Sequence, residues 1–158
     1  MCKSACFTGH RSVSGDINEL TRKLYGILEK LITDQNVTAY YCGGAYGWDL
    51  IAAQTVLQLK VAYPHIKLHF VLPCTNVEQT DGWTEEQKTE FQLLLDSGDS
   101  VEYVSEHKTP TCMKERNARL VELADYCISY YNEKRKRSGT GQTVRMAQKN
   151  KLTVINLY

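Results

Sequence analysis

Thr8-Gly9-His10-Arg11 places a glycine, an imidazole and a guanidinium side by side. Arg11 can grip a phosphate or carboxylate with its two-pronged fork, or sit in a surface salt bridge. His10 offers an acid/base group that titrates near neutrality, or a ring that hydrogen-bonds its own turn. Gly43-Gly44-Ala45-Tyr46-Gly47-Trp48-Asp49 opens straight into a helical pattern. Glycines there let the backbone approach a phosphate, and a helix start adds free N–H groups and a positive dipole end. The same glycines also suit a plain strand-to-helix turn that needs positive φ. Asp49, in the first helical turn, can bind ribose hydroxyls, act as a general base, or cap the helix. Trp48 can stack on a base or pack beneath the loop.

Ser138-Gly139-Thr140-Gly141-Gln142-Thr143 brings two glycines and three hydroxyl groups together between a strand and a helix. That composition suits an anion, and Ser138 or Thr140 could also serve as an ordinary helix cap. Lys134-Arg135-Lys136-Arg137 lies just upstream. Such a run is a solvated loop, a phosphate partner or a nucleic-acid contact. Arg116 and Asn117 fall early in another helix, at the end that can face the same ligand edge. Leu72-Pro73-Cys74 closes a further strand. The glycine spacing is not G-x-G-x-x-G and no G-K-[ST] follows, so the dinucleotide fingerprint and the Walker loop are both missing.

The elements that must position these residues alternate regularly. Strands are expected over Ser4 to Thr8, Val37 to Cys42, Ile66 to Leu72, Val101 to Val104, Asp125 to Tyr131 and Leu152 to Leu157. Helices are expected from an Asp16/Glu19 capping box to near Asp34, and over Trp48 to Val61. Three more are expected from a Thr84/Gln87 cap to about Asp96, from a Thr111 cap to Ala124, and over Thr143 to Asn150. Helical spacing is clear at Ile17, Leu20, Leu24, Ile27, Leu28 and Leu31. Strand–helix alternation predicts an α/β fold, a Rossmann-like three-layer domain with a mainly parallel sheet, formed by residues 1–158 as a single domain. In such a sheet ligands bind outside the carboxyl ends of the strands. Every loop described above follows a strand, and their convergence on that one edge carries the functional expectation.

Composition narrows the classes. The chain has 158 residues, 42% hydrophobic and 23% charged, with a formal net charge of +1. No global field draws it to nucleic acid or a membrane. No apolar run reaches the roughly 18 residues of a membrane helix, and no leader-like apolar stretch opens the sequence, so a cytoplasmic protein is expected. The six cysteines include no C-x-x-C pair, so no metal site and no cofactor are expected from them.

Taken in order, Phe7-Thr8-Gly9-His10-Arg11, the Gly43-to-Asp49 loop, Ala52-Ala53, Leu59-Lys60, Tyr63-Pro64 and Leu72-Pro73 resemble the YpsA-like family of the SLOG superfamily, a Rossmann-like group. Ser138-Gly139-Thr140-x-x-Thr143 resembles the phosphate-contacting loop of DNA-processing protein A in the same superfamily. The resemblance implies binding of nucleotides or their derivatives, including ADP-ribose-like molecules. The LONELY GUY branch cleaves a base from a nucleoside monophosphate and carries P-G-G-x-G-T-x-x-E. This sequence lacks that string, and Asp49 follows its double glycine at a different spacing in an earlier loop. The expected function is a nucleotide-ligand sensor or regulatory module. Alternatives are an N-glycosidic hydrolase using Asp49 with Arg11 or Arg116 on phosphate, and a nucleic-acid binder using Lys134 to Arg137. The expected ligand contacts are Gly9, His10, Arg11, Gly43, Gly44, Gly47, Arg116, Asn117, Ser138, Gly139, Thr140, Gly141 and Thr143.

Cys6, Cys42 and Cys127 lie in apolar strand patterns, which predicts buried free thiols. Mass spectrometry of the unreduced protein should find no disulfide among them, and a stoichiometric bridge would refute this.

Overall fold

The computed structural model describes residues 1–158. The strands are β1 (Lys3–Gly9), β2 (Val37–Cys42), β3 (Lys67–Leu72), β4 (Ser100–Tyr103), β5 (Tyr126–Tyr130) and β6 (Thr153–Asn156). The helices are α1 (Ile17–Gln35), α2 (Trp48–Ala62), α3 (Asn76–Gln79), α4 (Glu85–Ser97), α5 (Cys112–Leu123) and α6 (Gly139–Lys149). All five strand pairings are parallel, in the order β4-β3-β2-β1-β5-β6.

Given that order, handedness assigns the helices to faces. Right-handed crossovers that step from β1 to β2, β3 and β4 place α1, α2 and α4 on one face. The chain then returns through α5 and steps the other way, which puts α5 and α6 on the opposite face. The core divides accordingly. Phe7, Tyr40, Phe70 and Ile128 point with α1, α2 and α4 into the larger cluster. Their strand neighbours Cys6, Val71 and Cys127 point with α5 and α6 into the smaller one. A strand alternates its side chains, so one sheet serves two cores. Cys6, Cys42 and Cys127 are buried, and all six cysteines are free.

Local signals explain most boundaries. Asp16 caps α1 by accepting from the amides of Asn18 and Glu19, without the reciprocal half of a capping box. Thr84 and Gln87 form a complete capping box on α4. Thr111 precedes α5 but does not cap it with its side chain; its hydroxyl bonds Glu115 instead. The last helix starts at Gly139 rather than Thr143. Glycine and threonine have weak helix propensity, which hid this first turn, and Ser138 supplies the cap by accepting from Gly141 N. Short α3 lies in the polar loop after β3 and was not foreseen.

Two glycines fix how closely the loops pack. A Cβ on Gly9 would lie 2.3 Å from the Trp48 ring, so only glycine lets β1 end against α2. Trp48 is fully buried, stacks on Tyr130 at 5.5 Å and donates from Nε1 to Ile128 O. It therefore packs under the loop. Gly44 has φ +70°, and a Cβ there would lie 2.8 Å from Leu72 and 2.9 Å from Phe91. Gly44 is a structural turn facing the core, not an open cradle. Gly44→Ala should lower unfolding free energy by roughly 1–3 kcal/mol through strain and overpacking. Urea denaturation checks this, and an unchanged midpoint would contradict the packing described.

Candidate functional site

The sheet order reverses beside β1, where β2 lies on one side and β5 on the other. The loops after β1 and β5 separate there, and a cleft of about 420 Å³ opens at the carboxyl edge. Its walls hold Gly9, His10 and Arg11 from the first loop and Asp49 from the start of α2. Arg116 and Asn117 from α5 also line it, as do Ser138, Gly139 and Thr140 from α6. The structure thus gathers these nine expected residues. It places the other five elsewhere. Gly43 lies behind the wall, where a Cβ would meet Arg116 Nη1 at 2.5 Å and Asp49 Oδ2 at 3.1 Å. Gly44 faces the core. Gly47 packs on the Arg11 carbonyl, Gly141 on that of Lys136, and Thr143 is buried with its hydroxyl bonded to Gly139 O.

His10 ties the two halves of the sheet edge together. Its amide donates to Tyr130 O, its carbonyl accepts from Trp48 N, and its Nε2 accepts from Asn132 N at 2.9 Å. An acceptor Nε2 places the ring proton on Nδ1 of the neutral ring. Burial and then the Arg135 charge lower its pKa, which favours the neutral form.

Asp49 and Arg116 are 5% and 4% exposed, so two opposite charges are buried in one wall. They do not meet in a direct ion pair. Arg116 donates from Nη1 to Gly43 O and from Nε to Asn117 Oδ1 at 2.8 Å, so the protein holds only part of its fork. Asp49 Oδ2 accepts from Ala45 N at 3.1 Å, while Oδ1 is buried without a donor. Burial pushes the Asp49 carboxyl up to about 6, although Arg116, the Ala45 amide and Arg11 oppose the shift. A carboxyl poised there can accept or release a proton at neutral pH.

The two helix starts at this edge differ in charge. The first turn of α2 contains Asp49, which already supplies the negative charge that its dipole favours. The first turn of α6 contains no acid. Ser138 caps Gly141 N, and the amides of Gly139 and Thr140 have no acceptor within the chain. Arg135 stands beside them in the cleft wall. Arg135 was visible in the sequence only as one member of a basic run. Ala45 and Gln142, which lie within two of the expected loops, also line the cleft, as does Met113, which carried no signal. No group of three or more His, Cys, Asp or Glu side chains is placed to share a metal ion. No helix is long and apolar enough to cross a membrane.

The model of the YspA SLOG family matches residues 6–157. The chain belongs to this family. An SPbeta prophage-derived protein of Bacillus subtilis (strain 168), YoqJ, is 30% identical over 146 residues, which is 85% of this chain and 83% of that protein. A UPF0398 protein of Bacillus thuringiensis (strain Al Hakam) is 28% identical over 117 residues, covering 73% of this chain and 61% of the relative. DNA processing protein A of Streptococcus pneumoniae superposes with a TM-score of 0.68 at 17% identity, over 98% of this chain and 50% of that one. That likeness shows the Rossmann-like fold, of which this chain spans half the neighbour's length.

Asp49 yields a signed pH dependence. Its pKa rises from 3.8 to about 6 on folding, so between these values the native state binds more protons than the unfolded one. Stability then falls as pH rises through that window. The penalty is absent below it and complete above it, about 2–3 kcal/mol at 1.36 kcal/mol per unit. Asp49→Asn removes the titration. Urea unfolding from pH 4 to 7 should therefore show wild type losing that much relative to the variant, and a flat difference would mean that Asp49 ionises normally.

Proposed function

We propose that this protein binds a phosphate-bearing nucleotide or nucleotide derivative of the ADP-ribose or NAD type, as a sensor or regulatory module. The charge distribution of the cleft carries this reading. Arg11, Arg116 and Arg135 line it against the single carboxylate of Asp49. The free amides at the acid-free start of α6 suit a phosphate, and Arg135 adds a charge-assisted partner. The start of α2 is less suited, because an anion there would face Asp49. Asp49 Oδ1 is an acceptor without a donor, as a ribose hydroxyl would require. Family membership supports a nucleotide-related ligand.

The same orphaned oxygen favours a second reading, hydrolysis of an N-glycosidic bond. Asp49, with its pKa near 6, would take the proton from attacking water or stabilise an oxocarbenium-like ribose. A third reading, nucleic-acid binding, is favoured by the open depression that Lys134, Arg135, Lys136 and Arg137 form beside Ser138.

Arg11 is exposed, so its removal tests ligand contact rather than folding. Calorimetry with AMP and ADP-ribose should give saturable binding that Arg11→Ala weakens by roughly 1.5–3 kcal/mol. A sensor returns the ligand intact, whereas a hydrolase releases base or ribose phosphate and Asp49→Asn keeps binding but abolishes that release. Oligonucleotide binding with a steep salt slope would move the assignment to nucleic acid. If neither nucleotide binds, the reading fails.

A further inference from the structure

A second, smaller cavity adjoins the main cleft on the side away from α6. It measures about 130 Å³, and Arg11, Ala45 and Met113 line both spaces. Its other walls come from the end of β3, the α3 segment and the start of α5. Cys74 and Cys112, each 1% exposed, give it an apolar lining, and half-buried Trp83 adds an aromatic ring. The exposed, charged side chains of Asp81 and Lys108 also line it, and Gln79 adds one neutral amide whose orientation is fixed. Gln79 Oε1 is buried and accepts no hydrogen bond. Its amide cannot simply turn over, because Nε2 donates to Gly44 O at 3.1 Å and reversal would set oxygen against oxygen. The segment is also anchored from outside. Glu78 accepts from His107 Nδ1 at 3.0 Å and from Lys108 N, tying α3 to the loop before α5.

Resting on the nucleotide reading above, we propose that this pocket receives the base of the ligand, and that Gln79 Oε1 selects a base bearing an exocyclic amino group. A half-apolar slot flanked by the exposed Asp81 and Lys108, with one fixed neutral acceptor on Gln79, matches a flat heteroaromatic ring with a donor on its edge. Met113 offers a polarisable thioether to the ring, and Arg11 a planar guanidinium at the throat. The order along the site is then consistent. The phosphate lies on the first amides of α6 and the base lies beyond Ala45. The ribose between them falls beside Asp49, whose Oδ2 is bonded to Ala45 N. Gln79 is a specificity-determining residue in this scheme, and it does not touch the phosphate.

Calorimetry on wild type and Gln79→Leu tests this with ribose 5-phosphate and three matched pairs. The pairs are AMP, CMP and GMP, each against the counterpart carrying hydrogen in place of its amino group. In wild type at least one amino-bearing member should bind about tenfold tighter than its partner, because the analogue leaves Gln79 Oε1 unpaired. That preference should vanish in Gln79→Leu. Ribose 5-phosphate should bind both proteins equally, which shows that the variant is folded and its phosphate end intact. Ribose 5-phosphate binding as tightly as every nucleotide would overturn the base pocket and leave the phosphate reading standing. An amino preference that survives in Gln79→Leu would overturn the role of Gln79. No binding by any probe to wild type would overturn the nucleotide reading and this proposal with it.

Discussion

β1 has neighbours reached from opposite faces of the sheet. The chain arrives at β2 through α1 and at β5 after α5, and right-handed connections put those two helices on opposite faces. The loops that follow β1 and β5 must therefore part, and the space between them cannot be filled by a covering helix. The cleft is a consequence of topology before any side chain is considered. Side chains then decide its shape. Gly9 admits the Trp48 ring, Trp48 stacks on Tyr130, and His10 bonds to Tyr130 O, Trp48 N and Asn132 N. These contacts hold the two diverging loops at a fixed separation, so the walls are set by the folded core and not by a ligand.

Within that frame, Asp49 and Arg116 are kept close but apart. Gly43 lies between them, its carbonyl taken by Arg116 and its α-carbon with no room for a side chain. A direct ion pair would satisfy both charges and leave nothing for a ligand. Held apart, the guanidinium retains bonding capacity, and burial of the carboxyl outweighs the opposing pull of Arg116 on its pKa. Burial also lowers the Arg116 pKa, with Asp49 opposing. A charged guanidinium in a poorly hydrated wall interacts more strongly with an incoming anion than one in water. The double-glycine loop thus acts indirectly. It was expected to cradle a phosphate with its own backbone. The structure instead uses Gly43 as a spacer between charges and Gly44 as a turn against Phe91 and Leu72.

The fold was legible because its signals are local and repeated. Val37–Cys42 carried a strand pattern over its whole length, and the Thr84/Gln87 pair announced a helix start that the structure shows in full. Convergence of the strand-end loops was legible for the same reason, since parallel topology sends them all to one edge. The burial of Arg116 was not. Nothing around it in α5 distinguishes an inward arginine from an exposed one, and its partners, Gly43 O and Asn117, include a carbonyl 73 residues away. Gln79 was hidden more deeply. It sits in a polar segment whose helix has only four residues. Its orientation depends on Gly44 O, a long-range contact that no spacing in the sequence encodes.

Only two buried side-chain polar atoms in the protein lack a hydrogen-bond partner, Asp49 Oδ1 and Gln79 Oε1. Leaving a buried acceptor unpaired costs roughly 1–3 kcal/mol, a sizeable part of a domain's stability. Everywhere else the structure avoids that cost. Thr55, Thr143 and Ser129 are fully buried, and each hydroxyl has a partner. The residues that carry these two atoms line adjoining cavities, and Ala45 lines both. Both are acceptors, both are held in orientation by a second bond to the loop after β2, and neither can be relieved by rotating the side chain without breaking that bond. Unsatisfied groups scattered by chance would fall in either core and on either face. Two of the same polarity, fixed by the same loop and carried by residues that line adjoining cavities, are the pattern expected of a site that takes donors from a ligand.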